Sequence, residues 1–200
     1  MRARWCGGFA AGSGMRVNTG GAPPVCLERD GTLIVERHYL RDVELVALEE
    51  GVADGLIRLQ QHGHPLIVVS NQSGIGRGLF TVDDVQRVNA RVAALLRPFG
   101  IEILAWYTCP HAPETACECR KPLPGMPLKA SRDWQLDLAA SYVVGDKQCD
   151  LELADAIGGT GILVTTGHGR EALTWAERTS RTVCTGLAGA ADHILAAHRQ

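Results

Sequence analysis

Two carboxylates stand two positions apart in Glu28-Arg29-Asp30-Gly31-Thr32, directly behind the short apolar run Val25-Cys26-Leu27. Side chains at i and i+2 near a strand end face the same way. Such a pair can hold Mg²⁺ or divide the work of nucleophile and general acid; a polar turn closing a strand uses the same residue types. Ser70-Asn71-Gln72-Ser73-Gly74-Ile75-Gly76-Arg77-Gly78 follows the apolar run Leu66-Ile67-Val68-Val69. Its hydroxyls, amides and glycine-bearing backbone can present donors to an anion, with Arg77 as a fixed positive charge, although a flexible loop has the same composition. Gly145-Asp146-Lys147-Gln148-Cys149-Asp150 follows Tyr142-Val143-Val144. Asp146 can add an oxygen ligand to a Mg²⁺ site, and Asp150 can cap the helix that begins there.

The sharpest local pattern is Cys109-Pro110-His111 followed by Cys117-Glu118-Cys119, four soft ligands within eleven positions. Cys₃His is a closed tetrahedral zinc set that leaves no place for water, so a structural Zn²⁺ is expected on Cys109, His111, Cys117 and Cys119. The surrounding loop carries Pro110, Pro113, Pro122 and Pro124 and little apolar content. A metal clip would order what packing cannot. It would also place Arg120-Lys121, two cations suited to phosphate recognition beside a carboxylate–Mg²⁺ site. Cys26, Cys149 and Cys184 read as structural thiols and Cys6 as part of the leader. His62, His64, His168, His193 and His198 are scattered and are assigned no catalytic role.

The elements that must position these groups alternate. Strands are expected at Val25–Leu27, Leu66–Val69, Ile103–Tyr107, Tyr142–Val144, Gly161–Val164 and Thr182–Cys184. Helices are expected over Gly51–Gln61, Thr81–Arg97 (Thr81 as N-cap, Asp84 three residues on), Pro127–Leu136, Asp150–Ile157, Glu171–Arg178 and Ala188–His198. This order predicts an α/β domain with a parallel sheet covered on both faces. Ligands of such sheets sit at the carboxyl ends of the strands, where the polar segments above fall.

The chain has 200 residues, enough for one domain. Residues 1–22, rich in Gly, Ala, Arg and Ser and ending in Ala22-Pro23-Pro24, are expected to be a disordered leader, leaving 23–200 as the domain. Twenty basic and 22 acidic residues give a net charge of −2, which argues against a nucleic-acid partner. No run approaches the roughly 18 apolar residues of a membrane span. With no secretory signal and seven cysteines, an odd number, a cytoplasmic location with thiols or metal ligands is expected rather than a disulfide framework.

Taken together, these segments resemble the haloacid dehalogenase (HAD) superfamily of phosphatases over about 25–164. The likeness is greatest to its zinc-containing branch of heptose-1,7-bisphosphate and histidinol-phosphate phosphatases. The resemblance implies a Rossmann-like sheet, catalytic Mg²⁺ and phosphoryl transfer through an acyl-phosphate. Glu28 would be the nucleophile, and Asp30 would protonate the leaving oxygen and later deprotonate water. Ser70 and Lys121 would steady the phosphoryl group. Mg²⁺ would be held by Glu28, Asp30, Asp146 and the main-chain carbonyl of Arg29. Arg120 would contact the sugar's other phosphate, and Glu36, Arg37, His38, Tyr39, Asn71, Gln72, Ser73 and Lys147 would line the substrate.

The family pattern has aspartate where this chain has Glu28. The extra methylene carries the carboxylate roughly 1.3–1.5 Å further from the backbone, and a misplacement of about 1 Å can cost around 10²-fold in rate. A slow phosphatase and a phospho-sugar-binding relative therefore both remain open. The segment between Glu28 and Ser70 is too short for a large cap domain, which suits a monomer acting on a small phosphorylated sugar. Heptose bisphosphate is the first choice and histidinol phosphate the second.

Overall fold

A computed structural model describes residues 7–10 and 21–197. Cys6 and His198 lie outside these residues.

Seven strands form one sheet in the order β1-β4-β3-β2-β5-β6-β7. They are β1 Gly7–Ala10, β2 Val25–Leu27, β3 Leu66–Asn71, β4 Ala105–Cys109, β5 Tyr142–Gly145, β6 Thr160–Val164 and β7 Thr182–Cys184. Strands β2 to β7 run parallel, and β1 lies antiparallel on β4. The helices are α1 Val52–Gln61, α2 Ser73–Gly76, α3 Val82–Leu96, α4 Gly125–Trp134, α5 Gln148–Ile157, α6 Leu173–Arg178 and α7 Leu187–Ala197.

Side-chain alternation along the strands divides the core into two layers. Val25, Leu27, Val68, Val144 and Ile162 face α1, α3 and α7, packing on Leu56, Leu59, Val88, Val92 and Ile194. Cys26, Ile67, Val69, Tyr107 and Val143 face the other way, onto Met126 and Ala130 of α4 and Leu153 and Ala154 of α5. Both faces of the short central strands are therefore dry, as apolar runs without polar alternation require.

The expected α/β class and the absence of a large cap hold. Between β2 and β3 there is only a turn, a short 3₁₀ segment at Val43–Leu45 and α1. Thr81 caps α3 as expected, in a reciprocal capping box with Asp84.

Four expectations are corrected. Gly7–Ala10, within the segment read as a leader, forms a strand on the outer edge of β4. Edge pairing is made by backbone groups, so a Gly/Ala segment gives no side-chain signal of it. The fourth strand starts at Ala105 rather than Ile103, because Ile101 and Ile103 are buried in the core before the chain joins the sheet. The helix expected at Pro127 starts two residues earlier, at Gly125. The glycine-rich segment after β3 turns through the helical turn α2 rather than a loop.

Candidate active site

The strand order places β2 between β3 and β5. Leu27 is in register with Val68 on one side and Val144 on the other. The three polar segments that follow these strands therefore meet at one end of the sheet, at the point where the connections diverge.

Glu28 is buried there. Its main-chain N–H donates to the Val144 carbonyl at 3.0 Å, which fixes the side chain's origin on the sheet. Its Oε1 accepts from the N–H of Arg29 at 2.7 Å and its Oε2 accepts from Lys121 Nζ, with the Ser70 hydroxyl near enough to favour the charged carboxylate. The bond to the next amide folds the side chain back on its own main chain and takes up part of the extra methylene. Burial would raise the Glu28 carboxyl, but the Lys121 ammonium, with help from Lys147 and Ser70, holds it below its usual value.

Lys121 is buried and completely enclosed by acceptors. Besides Glu28, its Nζ donates to the Val69 carbonyl at 2.8 Å and pairs with Asp150 Oδ1 at 2.6 Å. Burial alone would lower the ammonium, but Asp150 and Glu28 together raise it well above the ordinary lysine range. Asp150 reaches Lys121 from the first turn of α5 while its other oxygen accepts from the Lys147 N–H at 3.0 Å. Gly145 makes this approach possible, since a Cβ at that position would collide with the Asp150 side chain.

The carboxylate of Asp30 points elsewhere. The fully buried Arg29 guanidinium grips it, Nε to Oδ1 at 3.2 Å and Nη2 to Oδ2 at 2.9 Å, and is itself held by Asn89 Oδ1 of α3 at 2.9 Å. Gln72 Nε2 donates to Asp30 Oδ2 at 2.6 Å and to Ser70 Oγ at 2.8 Å, so one amide links the two.

Asp146 is fully buried at the end of β5. It accepts from the His168 N–H at 2.9 Å, and Lys147 Nζ stands 3.4 Å away. Burial, with Asp150 and Glu28 adding repulsion against the pull of Lys147, pushes its carboxyl up to about 6. Gly31 has φ +76° and passes so close to Asp146 that any side chain would strike the carboxylate. A dry, under-compensated carboxylate beside Glu28 is a hard-oxygen donor set that suits Mg²⁺.

At the far end of β4, Cys109 Sγ lies 3.9 Å from Cys117 Sγ and 3.5 Å from His111 Nδ1, and Cys119 Sγ lies 3.3 Å from the same nitrogen. A tetrahedral zinc with Zn–S of about 2.3 Å has edges of about 3.8 Å, so these spacings fit that ion. The neighbouring Cys119, together with His111 and Cys117, outweighs burial and pulls the Cys109 thiol down to about 5, toward the thiolate a metal needs.

A family profile described as HAD-hydrolase-like matches residues 118–190, the stretch from the zinc-type loop to α7. A D-glycero-β-D-manno-heptose-1,7-bisphosphate 7-phosphatase of Yersinia pestis is 40% identical over 157 residues, 74% of this chain and 84% of that protein. A protein of the same name from Photorhabdus laumondii is 35% identical over 178 residues, 85% of this chain and 94% of its own length. The chain belongs to the HAD-like phosphatase family. The crystal structure of the D,D-heptose 1,7-bisphosphate phosphatase of B. bronchiseptica, complexed with magnesium and phosphate, superposes with a TM-score of 0.80. It shares 32% identity and covers 86% of this chain and 98% of that one. Membership makes this chain a phosphatase, a hydrolase of phosphoric monoesters, on a Rossmann-like sheet. Among the described residues, no helix is long and apolar enough to cross a membrane.

Within this phosphatase, several site expectations change. The Arg29 carbonyl accepts from the N–H groups of Leu33 at 2.9 Å and Ile34 at 3.0 Å, which occupies it in the turn. The Asp30 carboxylate is held by Arg29 and Gln72. The Asn71 amide clamps Lys121, accepting from the Lys121 N–H at 3.0 Å and donating to the Lys121 carbonyl at 3.3 Å. Gln72 is buried and spent on Asp30 and Ser70.

Ser73 opens α2 beside them. Glu36, Arg37, His38 and Tyr39 lie on the loop after β2, with Arg37, His38 and Tyr39 exposed. Tyr39 accepts from Arg77 at 2.9 Å, so Arg77 braces that loop rather than standing free in an anion cradle. Lys147 spans from Asp146 to Glu36, 3.7 Å away. Arg120 donates to the His111 carbonyl at 3.4 Å, which ties it to the zinc-type loop.

Sequence reasoning missed the roles of the Arg29 side chain, Asn89, Asp150 and His168. An arginine squeezed between two acidic residues at a strand end was a usable sign of the first; the others have no local signature.

Proposed function

We propose that this chain removes the 7-phosphate of D-glycero-D-manno-heptose 1,7-bisphosphate, the reaction named for its relatives, with Glu28 as nucleophile. The observation that carries the reading is the pairing of Lys121 Nζ with the Glu28 carboxylate, while Gln72 joins the neighbouring Ser70 to Asp30. The nucleophile is thus in direct contact with one phosphate-holding group, and the proton carrier is tied through one amide to the other, which suits phosphoryl transfer.

In this reading, Glu28 attacks phosphorus and carries the phosphoryl group as an acyl-phosphate. Asp30, kept in place by Arg29 and Gln72, gives a proton to the leaving sugar oxygen and takes one from the water that cleaves the intermediate. Lys121 and Ser70 balance charge on the phosphoryl oxygens. Glu28 and Asp146 would hold Mg²⁺, whose charge would neutralise the phosphate as electrons shift. The Asp30 carbonyl accepts none of the described main-chain bonds and is the open oxygen on that turn. Zn²⁺ on Cys109, His111, Cys117 and Cys119 would serve structure and hold Arg120 toward the second phosphate. In this reading the enzyme acts as a monomer on a small phosphorylated metabolite in the cytoplasm.

The test is Mg²⁺-dependent phosphate release from heptose bisphosphate and, in parallel, from histidinol phosphate. The first should be preferred, and Asp30→Asn should abolish release. Hydrolysis that persists in Asp30→Asn would remove the assigned mechanism, and preference for histidinol phosphate would remove the substrate. Binding of heptose bisphosphate with no turnover at all would favour a phospho-sugar-binding relative, the reading that Glu28 itself motivates.

A further inference from the structure

Two loops bring Glu36, His38 and His168 together at the rim of the site, with ligand atoms all within 4.8 Å of one another. They come from the turn after β2 and the turn after β6, and none is part of the carboxylate set or the thiolate set. The two imidazoles lie 5.7 Å apart, tilted by 48°, and do not stack.

Two of the three ligands are already oriented. His168 Nδ1 lies 3.0 Å from Glu171 Oε1, a contact that suits Nδ1 as the donor and turns Nε2 toward Glu36. Nε2 faces Glu36 Oε2 at 3.8 Å, too far for a hydrogen bond. The other Glu36 oxygen, Oε1, accepts from the His38 N–H at 2.8 Å. That bond closes a turn in which His38 (φ +39°) and Tyr39 (φ +52°) both occupy the left-handed region that non-glycine residues avoid. Strained backbone at His38 and a carboxylate behind the ring of His168 are both features of prepared metal ligands.

The gap has the right size. Zinc bound to nitrogen at about 2.0–2.1 Å and to oxygen at about 2.0–2.2 Å separates the two by about 3.4 Å, a few tenths of an ångström less than the observed spacing. Two imidazoles and one carboxylate favour zinc or a neighbouring divalent transition metal over Mg²⁺.

We propose that Glu36, His38 and His168 form a site for a divalent transition-metal ion of the zinc type. Three protein ligands leave one tetrahedral position open at the mouth of the active site, for water or a phosphate oxygen. Lys147 Nζ, 3.7 Å from Glu36 Oε2, competes with the ion and must withdraw when it binds. The proposal stands on these residues and not on the choice of substrate.

The experiment is a calorimetric Zn²⁺ titration of full-length protein whose cysteine set is already filled, with Mg²⁺ in excess to occupy the carboxylates. One further equivalent of Zn²⁺ should bind. His38→Ala and His168→Ala should each lose it, Glu171→Gln should weaken it by about 10–100-fold, and Lys147→Met should tighten it. Both histidines lie at or near the surface, and circular dichroism confirms that the variants fold. No further equivalent in the parent protein, or undiminished binding in both histidine variants, overturns the site. Neither result bears on phosphate release, so it is separable from the phosphatase reading.

Discussion

Asp150 anchors Lys121: their charged atoms are 2.6 Å apart, and both side chains are buried. The nucleophile's cation is therefore held from the opposite side, by the first turn of α5, whether or not Glu28 is engaged. A cation pinned between two carboxylates and the Val69 carbonyl cannot follow a moving substrate; its charge is placed in advance.

Asp150→Asn tests that arrangement. Removing one partner of a buried pair should lower stability by about 3 kcal/mol, and phosphate release should fall because Lys121 loses its fixed position. Urea unfolding and steady-state rates measure both. Normal turnover in a folded variant would show that Glu28 and Val69 alone suffice to place the lysine.

Glu28→Asp should raise kcat, by about 10²-fold if the extra methylene is the limiting defect. Glu28→Gln should abolish turnover while leaving the fold intact. Phosphate release with the bisphosphate reads both. An unchanged or lower rate in Glu28→Asp would mean that the fold-back onto the Arg29 N–H already sets a productive geometry.

Asp146 gives a pH dependence of defined sign. Its carboxyl rises from 3.8 to about 6 on folding without metal. The protonated form is thus the one the fold favours, and this stabilisation is present below about pH 4 and lost as pH rises through about 6. Mg²⁺-free protein should lose about 2–3 kcal/mol across that window from this group. Added Mg²⁺ should therefore stabilise far more at pH 7.5 than at pH 5, a difference absent in Asp146→Asn. Thermal unfolding with and without Mg²⁺ at the two values is the measurement, and equal stabilisation at both would contradict the assignment of Asp146 as a ligand.

The thiolate set predicts about one zinc per chain surviving gel filtration. Cys117→Ser should release it, lower the melting temperature and reduce turnover, because Arg120 and Lys121 follow Cys119 directly. Metal analysis with a melting curve checks this. Protein that carries no zinc and melts unchanged after Cys117→Ser would show that packing alone orders the loop.

Local spacing determined much of this protein. Runs three to five residues long specified the strands, Thr81 and Asp84 specified a helix start, and four soft ligands in eleven positions specified a clasp, because each rests on contacts between near neighbours in the chain. Which side chains serve the chemistry and which serve other side chains was decided only by the tertiary structure. Asn71 and Gln72 have the composition of substrate ligands, yet strand register turns them onto Lys121, Asp30 and Ser70. Asp150 looks like any capping residue until β5, set beside β2, brings it to a lysine 29 positions earlier. Glu36 and His168 meet across more than a hundred residues. Partnerships of that kind depend on strand order and on the exclusion of water between packed layers, and no short window of residues encodes either.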